Sequence, residues 1–204
     1  MTRIILTRHG ETLWNVEKKV QGNLDSSLTE KGRDQARSLA LRLSKEKISA
    51  IYASDLKRAQ STAAVIAEAL GVDKVQYDSA LREMNFGEWE GEKWEELRQK
   101  NQQVFACWDN EPYYVKIPGG EMMENVLERA WNFILRVIEQ HPEETVCIVS
   151  HGITVQLMMT KVLGYELNQL FQVPWQLNTA VNIFNVSQGM YEAEVLADCS
   201  HLND

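Results

Sequence analysis

The sequence predicts an α/β fold of three layers: a mainly parallel central sheet between helices, antiparallel C-terminal strands, and a small cap segment. Three observations lead there. Short β-rich runs alternate with amphipathic helical runs up to about residue 165, the pattern of strands joined by crossover helices. The last regular stretch, 180–186 and 190–196 around Ser187-Gln188-Gly189, reads as a β-hairpin. Between them, roughly 84–120 is aromatic, irregular and closed by Pro118-Gly119-Gly120, which suits a cap inserted into one domain spanning 1–204.

The elements follow in order. Residues 3–7 form a strand ending in Arg8-His9-Gly10, and a loop with Gly22, Asn23 and Asp25 follows. Thr29 has the chemistry of an N-cap for a helix reaching about 45, with Ala36, Leu39, Ala40 and Leu43 on one face. A strand over 49–53 leads to a helix capped by Ser54 or Asp55, which ends near Leu70 with Gly71 just past it. A short strand at 75–77 precedes Leu81-Arg82-Glu83, and one helix is expected over about 93–104. A long helix from about 121 to 140 carries Val126, Ala130, Ile134, Val137 and Ile138 at helical spacing, and His141-Pro142 stops it. A buried strand over 145–149 ends in Ser150-His151-Gly152, and a helix runs on to Leu163 with Gly164 behind it.

Composition narrows the function. The 204 residues are 44% apolar and 25% charged with both signs mixed, enough for a core and against disorder. A net charge of -8 argues against general nucleic-acid binding. No apolar run is long enough to cross a bilayer, so no membrane partner is expected. Three sparse cysteines (Cys107, Cys147, Cys199) match no zinc spacing and suit reduced thiols in a cytoplasm. The oligomeric state stays open.

Against that acidic background, cations gather at one predicted sheet edge. His9 and His151 share a context of strand, histidine, glycine, and in a parallel sheet both strand ends lie on the same edge, where ligands bind. Arg8 precedes His9, and Arg58 falls on the first turn of the helix after the third strand end. Taken singly, a histidine after a strand is more often structural and a first-turn arginine more often solvated. Two arginines, two histidines and a helix N-terminus converging on one point instead describe a phosphate site.

These residues carry a resemblance. Thr7-Arg8-His9-Gly10-Glu11-Thr12 with Trp14-Asn15 resembles the signature of the histidine phosphatase superfamily, the phosphoglycerate mutase-like proteins. The match continues in the family's order through Ser27-Leu28-Thr29-Glu30-Lys31-Gly32, Ser54-Asp55-Leu56-Lys57-Arg58-Ala59, Leu81-Arg82-Glu83, Phe86-Gly87-Glu88-Trp89-Glu90-Gly91, Pro118-Gly119-Gly120-Glu121 and Ser150-His151-Gly152. A lone Arg-His-Gly is weak; the ordered set is specific and spans almost the whole chain.

The resemblance implies roles. His9 would be the nucleophile that carries a phosphohistidine. Arg8, Arg58 and His151 would hold the nonbridging oxygens, with Asn15, Gln21, Gly22 and Gly152 lining the phosphate pocket. Glu83 would be the proton donor, with Glu11 as its competitor. No cofactor and no metal are required, since the cations stand where a magnesium ion would otherwise act. The implied ligand is a small-molecule phosphomonoester, and the small bacterial broad-specificity or α-ribazole phosphatases are the nearest branch.

Three activities remain in play: a phosphatase, a phosphoglycerate mutase, and a non-catalytic phospholigand-binding module. The mutases carry a longer insert with an adjacent arginine pair. Here the cations of 84–120 are Lys93, Arg98, Lys100 and Lys116, none adjacent, among seven aromatic residues. Most of those rings are expected to pack the cap. Trp108 and Tyr114 are the candidates for the acceptor pocket. His141 is expected to cap its helix end, and His201 to dock the terminus.

Overall fold

The computed structural model describes residues 1–202. Six strands form one sheet in the order β3-β2-β4-β1-β5-β6. They are β1 (Thr2–Arg8), β2 (Ile48–Ala53), β3 (Val75–Tyr77), β4 (Thr145–Ser150), β5 (Val181–Ser187) and β6 (Met190–Asp198). The first four run parallel, and β5 and β6 are antiparallel, as the sequence predicts. Helices α1 (Leu13–Val16), α2 (Glu30–Leu43), α3 (Lys57–Leu70), α4 (Trp94–Lys100), α5 (Gln102–Trp108), α6 (Met123–Gln140) and α7 (Gly152–Val162) complete the chain. Among the described residues, no helix is long and apolar enough to cross a membrane.

Strand alternation builds the three layers. Successive side chains point to opposite faces, so Ile4 and Leu6 of β1 pack with Phe133, Ile134, Val155 and Met158 from α6 and α7. Ile5 points the other way, onto Leu39 and Leu43 of α2 and Ala63 and Ile66 of α3. Cys147 of β4 belongs to that second face, and burial pushes its thiol up to about 12, which leaves it an inert core residue.

Three local expectations change. Neither Ser54 nor Asp55 caps α3. Its N-cap is Leu56, which has no side-chain acceptor, and the N–H groups of Lys57 and Arg58 donate instead to the Asp25 carboxylate at 2.9 and 3.4 Å. Asp55 is turned away to accept a fork from Arg82. The helix expected over 93–104 is two short helices that break at Asn101, whose φ of -130 is not helical. The loop after Gly10 holds the one-turn α1, closed by a reciprocal cap between Thr12 and Asn15.

The cap segment has its own apolar cluster. Phe86, Trp89, Leu97, Phe105, Val115 and Ile117 pack with Met123 and Val126 of α6 and with Ile153 and Leu157 of α7. Trp89 stacks on Phe105 at 5.0 Å, and Trp94 lies tilted on Trp108 at 6.1 Å. The cap therefore rests on the two helices that flank the end of β4.

Candidate active site

Strand register brings the two histidines together. Arg8 of β1 pairs with Ser150 of β4, so His9 and His151 each follow a paired residue on adjacent strands. The His9 N–H donates to the Ser150 carbonyl at 3.0 Å. The two rings meet edge to face with centroids 5.2 Å apart, and both are shut off from solvent.

Hydrogen bonds assign the two rings opposite tautomers. His9 Nδ1 lies 2.7 Å from the Gly10 carbonyl oxygen, which only accepts, so Nδ1 bears the proton and Nε2 keeps a lone pair. His151 Nδ1 lies 3.2 Å from Arg58 Nε, which only donates, so this Nδ1 is the acceptor and Nε2 bears the proton. Both rings are neutral. Burial, followed by the charges of Arg58 and Arg8, holds His9 well below 6.5. His151 is lowered likewise, by burial first and then by Arg58, His9 and Arg8.

Arg58 is only 1% exposed and is a positioning fork as much as a charge. Besides His151, it donates to the Leu24 carbonyl at 2.7 Å, the Asp25 carboxylate at 3.0 Å and the Gly22 carbonyl at 2.6 Å. Asp25 thus neutralises part of its charge and also caps its helix. Gly22 sits at φ 53, and a Cβ there would lie 2.0 Å from Glu90 Oε1, which itself accepts from Asn23 N and Phe86 N. The turn over the phosphate cavity is thereby tied to the cap.

Arg8 is held by the chain that enters β5. Its Nη1 donates to the Gln176 carbonyl at 2.8 Å, and its guanidinium lies 5.8 Å from the Trp175 ring centroid. Burial draws it down to about 10, which leaves it a cation at neutral pH. Asn178 Nδ2 donates to the His9 carbonyl, and Thr179 N donates to the Arg8 carbonyl. Thr179 takes φ 57, an uncommon backbone for a β-branched residue, so the surrounding contacts over-determine this clasp. His201 docks here, 3.2 Å from the Thr179 hydroxyl, while Arg42 ties the tail through Asp198 and Ser200.

Arg8, His9, Asn15, Gln21, Gly22, Arg58, Glu83 and Gly152 line one cavity of about 100 Å3. Two buried nitrogens, Arg8 Nε in this wall and His151 Nε2 on the ring packed against His9 just behind it, have no partner within the protein. Buried donors are seldom left so, which marks a site built to receive acceptor oxygens. Asn15 spends its Oδ1 on Thr12 and Asn178, and Gln21 its Oε1 on Thr12 Oγ1, which frees both amide nitrogens to donate. Glu83 accepts from the first turn of α7, Thr154 N on Oε1 and Ile153 N at 3.3 Å on Oε2, and its Oε1 also accepts Met84 N. Glu11 faces elsewhere, bonded to Thr29 Oγ1 at 2.8 Å beside Lys31.

A second cavity of about 480 Å3 adjoins the first and shares Trp94, Ile153 and Trp175 with it. Its walls are mostly apolar, Trp108, Leu170, Phe171 and Val173 among them, with Arg98 and Gln156 as the polar members. Trp108 therefore lines this chamber and not the phosphate cavity. Tyr114 lines neither: it is 69% exposed and packs on Tyr113, because Pro112 starts a turn that carries it outward. Sequence reasoning missed Lys19, Trp94 and Trp175 in the phosphate cavity, and Asp25, Gln176 and Asn178 behind it. His141 sits at the helix end as expected, with Nδ1 on Glu144 and Nε2 on the Tyr52 hydroxyl. Among the described residues, no cluster of three or more His, Cys, Asp or Glu side chains is placed to hold a metal ion.

Comparison with known proteins shows the family. Residues 4–198 match the profile of the histidine phosphatase superfamily (branch 1). The chain is similar to phosphoglycerate mutase-like protein 4 of Arabidopsis thaliana, 36% identical across 98% of this chain and 87% of that protein. It is 37% identical to phosphoserine phosphatase 1 of Hydrogenobacter thermophilus across 84% of this chain and 81% of that one. Among solved structures, YhfR of Bacillus stearothermophilus superposes with a TM-score of 0.93 at 37% identity, covering 98% of this chain and 99% of that chain.

Proposed function

The chain belongs to branch 1 of the histidine phosphatase superfamily, and from that premise we propose that it hydrolyses small-molecule phosphomonoesters through a covalent phosphohistidine on His9, without a metal ion. One observation carries the reading: an unprotonated His9 Nε2 shares a buried site with two donors that have no protein partner, Arg8 Nε and His151 Nε2.

The chemistry follows from those atoms. His9 Nε2 attacks phosphorus as the bond to the ester oxygen breaks in line with it. Arg8, the Nε2–H of His151 and the amide nitrogens of Asn15 and Gln21 receive the three equatorial oxygens. Arg58 adds its charge and fixes His151. Glu83 gives a proton to the departing alcohol from Oε2, the oxygen with the single long contact, and then takes one from the water that attacks the phosphohistidine. The P–N bond breaks, inorganic phosphate leaves, and His9 returns to its starting tautomer.

The acceptor side favours water over a second substrate hydroxyl. The adjoining chamber is mostly apolar; the one cation in its wall, Arg98, forks onto Asp109, and Lys19 of the phosphate cavity pairs with Glu17. A mutase must grip a substrate carboxylate as well as its phosphate. Relatives named for phosphoserine and for phosphoglycerate chemistry bracket both outcomes. The pocket wall residues Arg8, His9, Arg58 and Glu83 with His151 are all present, which ranks a purely binding role last. Unpaired thiols at all three cysteines suit a reducing cytoplasm.

The deciding experiment is turnover of an aryl phosphate by wild type and His9→Ala, with and without EDTA, beside 3-phosphoglycerate in a mutase assay. We expect hydrolysis insensitive to EDTA, a loss of at least about 1,000-fold in the variant, and an acid-labile, base-stable phosphoryl group trapped on His9. Equal turnover in the two proteins ends the enzyme reading, chelator-sensitive turnover ends the metal-free one, and efficient mutase activity replaces the hydrolase.

A further inference from the structure

Glu83 does its proposed work from an irregular stretch between β3 and the cap, with no strand or helix of its own to hold it. A loop carboxylate is a poor proton donor unless something else fixes its backbone. Arg129, on α6 and outside the phosphate cavity, does that. Its Nη1 donates to the carbonyls of Ala80 at 2.7 Å and Arg82 at 2.8 Å, and its Nη2 donates to the Glu83 carbonyl at 3.0 Å. The remaining N–H groups go to Glu121, Nε to Oε1 at 2.8 Å and Nη2 to Oε2 at 3.0 Å. All five guanidinium donors are thus used, three on the Glu83 loop.

Glu121 completes the frame from the other side. Its Oε2 also accepts Asn85 N at 3.2 Å, and its own N–H donates to the Asn85 carbonyl at 2.8 Å. Residues 80, 82, 83 and 85 are therefore held at both ends of Glu83 by one ion pair. Thr154 adds a third tie, from its hydroxyl to the Arg82 carbonyl at 2.8 Å. A lysine at 129 has three donors on one atom and cannot span three carbonyls and a carboxylate.

We propose that Arg129, oriented by Glu121, is a positioning residue for proton transfer: it fixes the Glu83 backbone so that the carboxyl meets the leaving oxygen, and it touches no substrate. The proposal rests on the reading of Glu83 as the proton donor. A misplacement of about 1 Å at a reacting group can cost about 100-fold, and here that cost should depend on how much the leaving group needs a proton.

The test is kcat/KM for Arg129→Lys, Glu121→Gln, Glu83→Gln and the double variant Arg129→Lys/Glu83→Gln, over phosphomonoesters from dinitrophenyl to alkyl. Dinitrophenolate departs unprotonated, whereas an alkoxide does not. We expect Arg129→Lys to lose at least about 30-fold on the alkyl ester and less than about 3-fold on the dinitrophenyl ester, within the range that acid catalysis supplies. Glu121→Gln should show the same trend at about a third of the size or more. The double variant should be no worse than Glu83→Gln alone. An equal fall across the series, or additive losses in the double variant, marks a merely structural pair and overturns the proposal. If Arg129→Lys does not fold, the Glu121→Gln series decides by the same criterion. A flat series for Glu83→Gln also overturns it, but by removing the proton donor, which separates that failure from one of Arg129.

Discussion

The phosphate cavity and the apolar chamber share a wall, yet they are built by different means. Around phosphate, the working atoms hang from the ends of β1 and β4 and the start of α3, and backbone pairing sets their spacing: Arg8 lies opposite Ser150, and His9 N–H bonds the Ser150 carbonyl. The cavity is about 100 Å3, and its polar groups are either pinned or unpartnered. The chamber of about 480 Å3 is walled largely by residues outside the sheet, such as Trp108 of a short cap helix and Phe171, Val173 and Trp175 of the stretch before β5, with Met123, Ile153 and Gln156 of α6 and α7. On the proposed function, reactivity is fixed by topology, while the fit to the rest of the substrate is left to side chains outside the sheet.

The sharpest way to break that division is at the proposed proton donor, Glu83, which lines the phosphate cavity and accepts from Ile153 N of the shared wall. Glu83→Gln should lower kcat on alkyl phosphates by about 100- to 10,000-fold, the usual span for a general acid, while Glu11→Gln, whose carboxylate is bonded to Thr29, should cost far less. Steady-state rates on an alkyl and an aryl ester measure both. A larger loss on the alkyl ester from Glu11→Gln would make Glu11 the proton donor in place of Glu83.

How far each region was legible in the sequence follows the same divide. Arg8, His9, Arg58 and His151 were readable because strand-histidine-glycine runs in a parallel sheet share an edge, a consequence of topology alone. Asp25 was invisible as the cap of α3, because local rules look for a capping side chain within the preceding residues, and this one comes from the loop before α2. Trp175 was missed for a related reason. It lies in the stretch between α7 and β5, which has no apolar period, and only the folded chain swings it over Arg8 and Gly152, where a Cβ on Gly152 would approach its ring at 3.2 Å. Tyr114 was misplaced because an aromatic composition says that rings pack, not which ring faces inward.

Trp175 offers a gentler probe, since it is the wall itself, 52% exposed yet lining both cavities. Trp175→Ala should raise KM for a naphthyl phosphate by about tenfold, about 1.4 kcal/mol of lost contact, and change KM for a small alkyl phosphate by less than about threefold. Trp108→Ala should follow the same pattern from deeper in the chamber. Were both substrates to suffer equally, Trp175 would act through Arg8, and the chamber would lose its separate role.

The smallest effect tests whether the electrostatic cost belongs to the phosphate cavity alone. His9 and His151 are held neutral in the fold, well below the 6.5 they have when free. An unfolded chain takes up protons on both as pH falls through 6.5, whereas the folded chain does not. Stability is therefore present above 6.5 and declines as pH drops below it, by up to about 1.4 kcal/mol per pH unit for each ring. His151→Gln, which keeps an acceptor for Arg58, should flatten the slope of urea midpoints between pH 7.5 and 5.5 by up to one such increment. Trp175→Ala should leave that slope unchanged. If the chamber variant changed the slope as much as the histidine variant, the two regions would be electrostatically one site, and the division between backbone-set chemistry and packing-set specificity would fail.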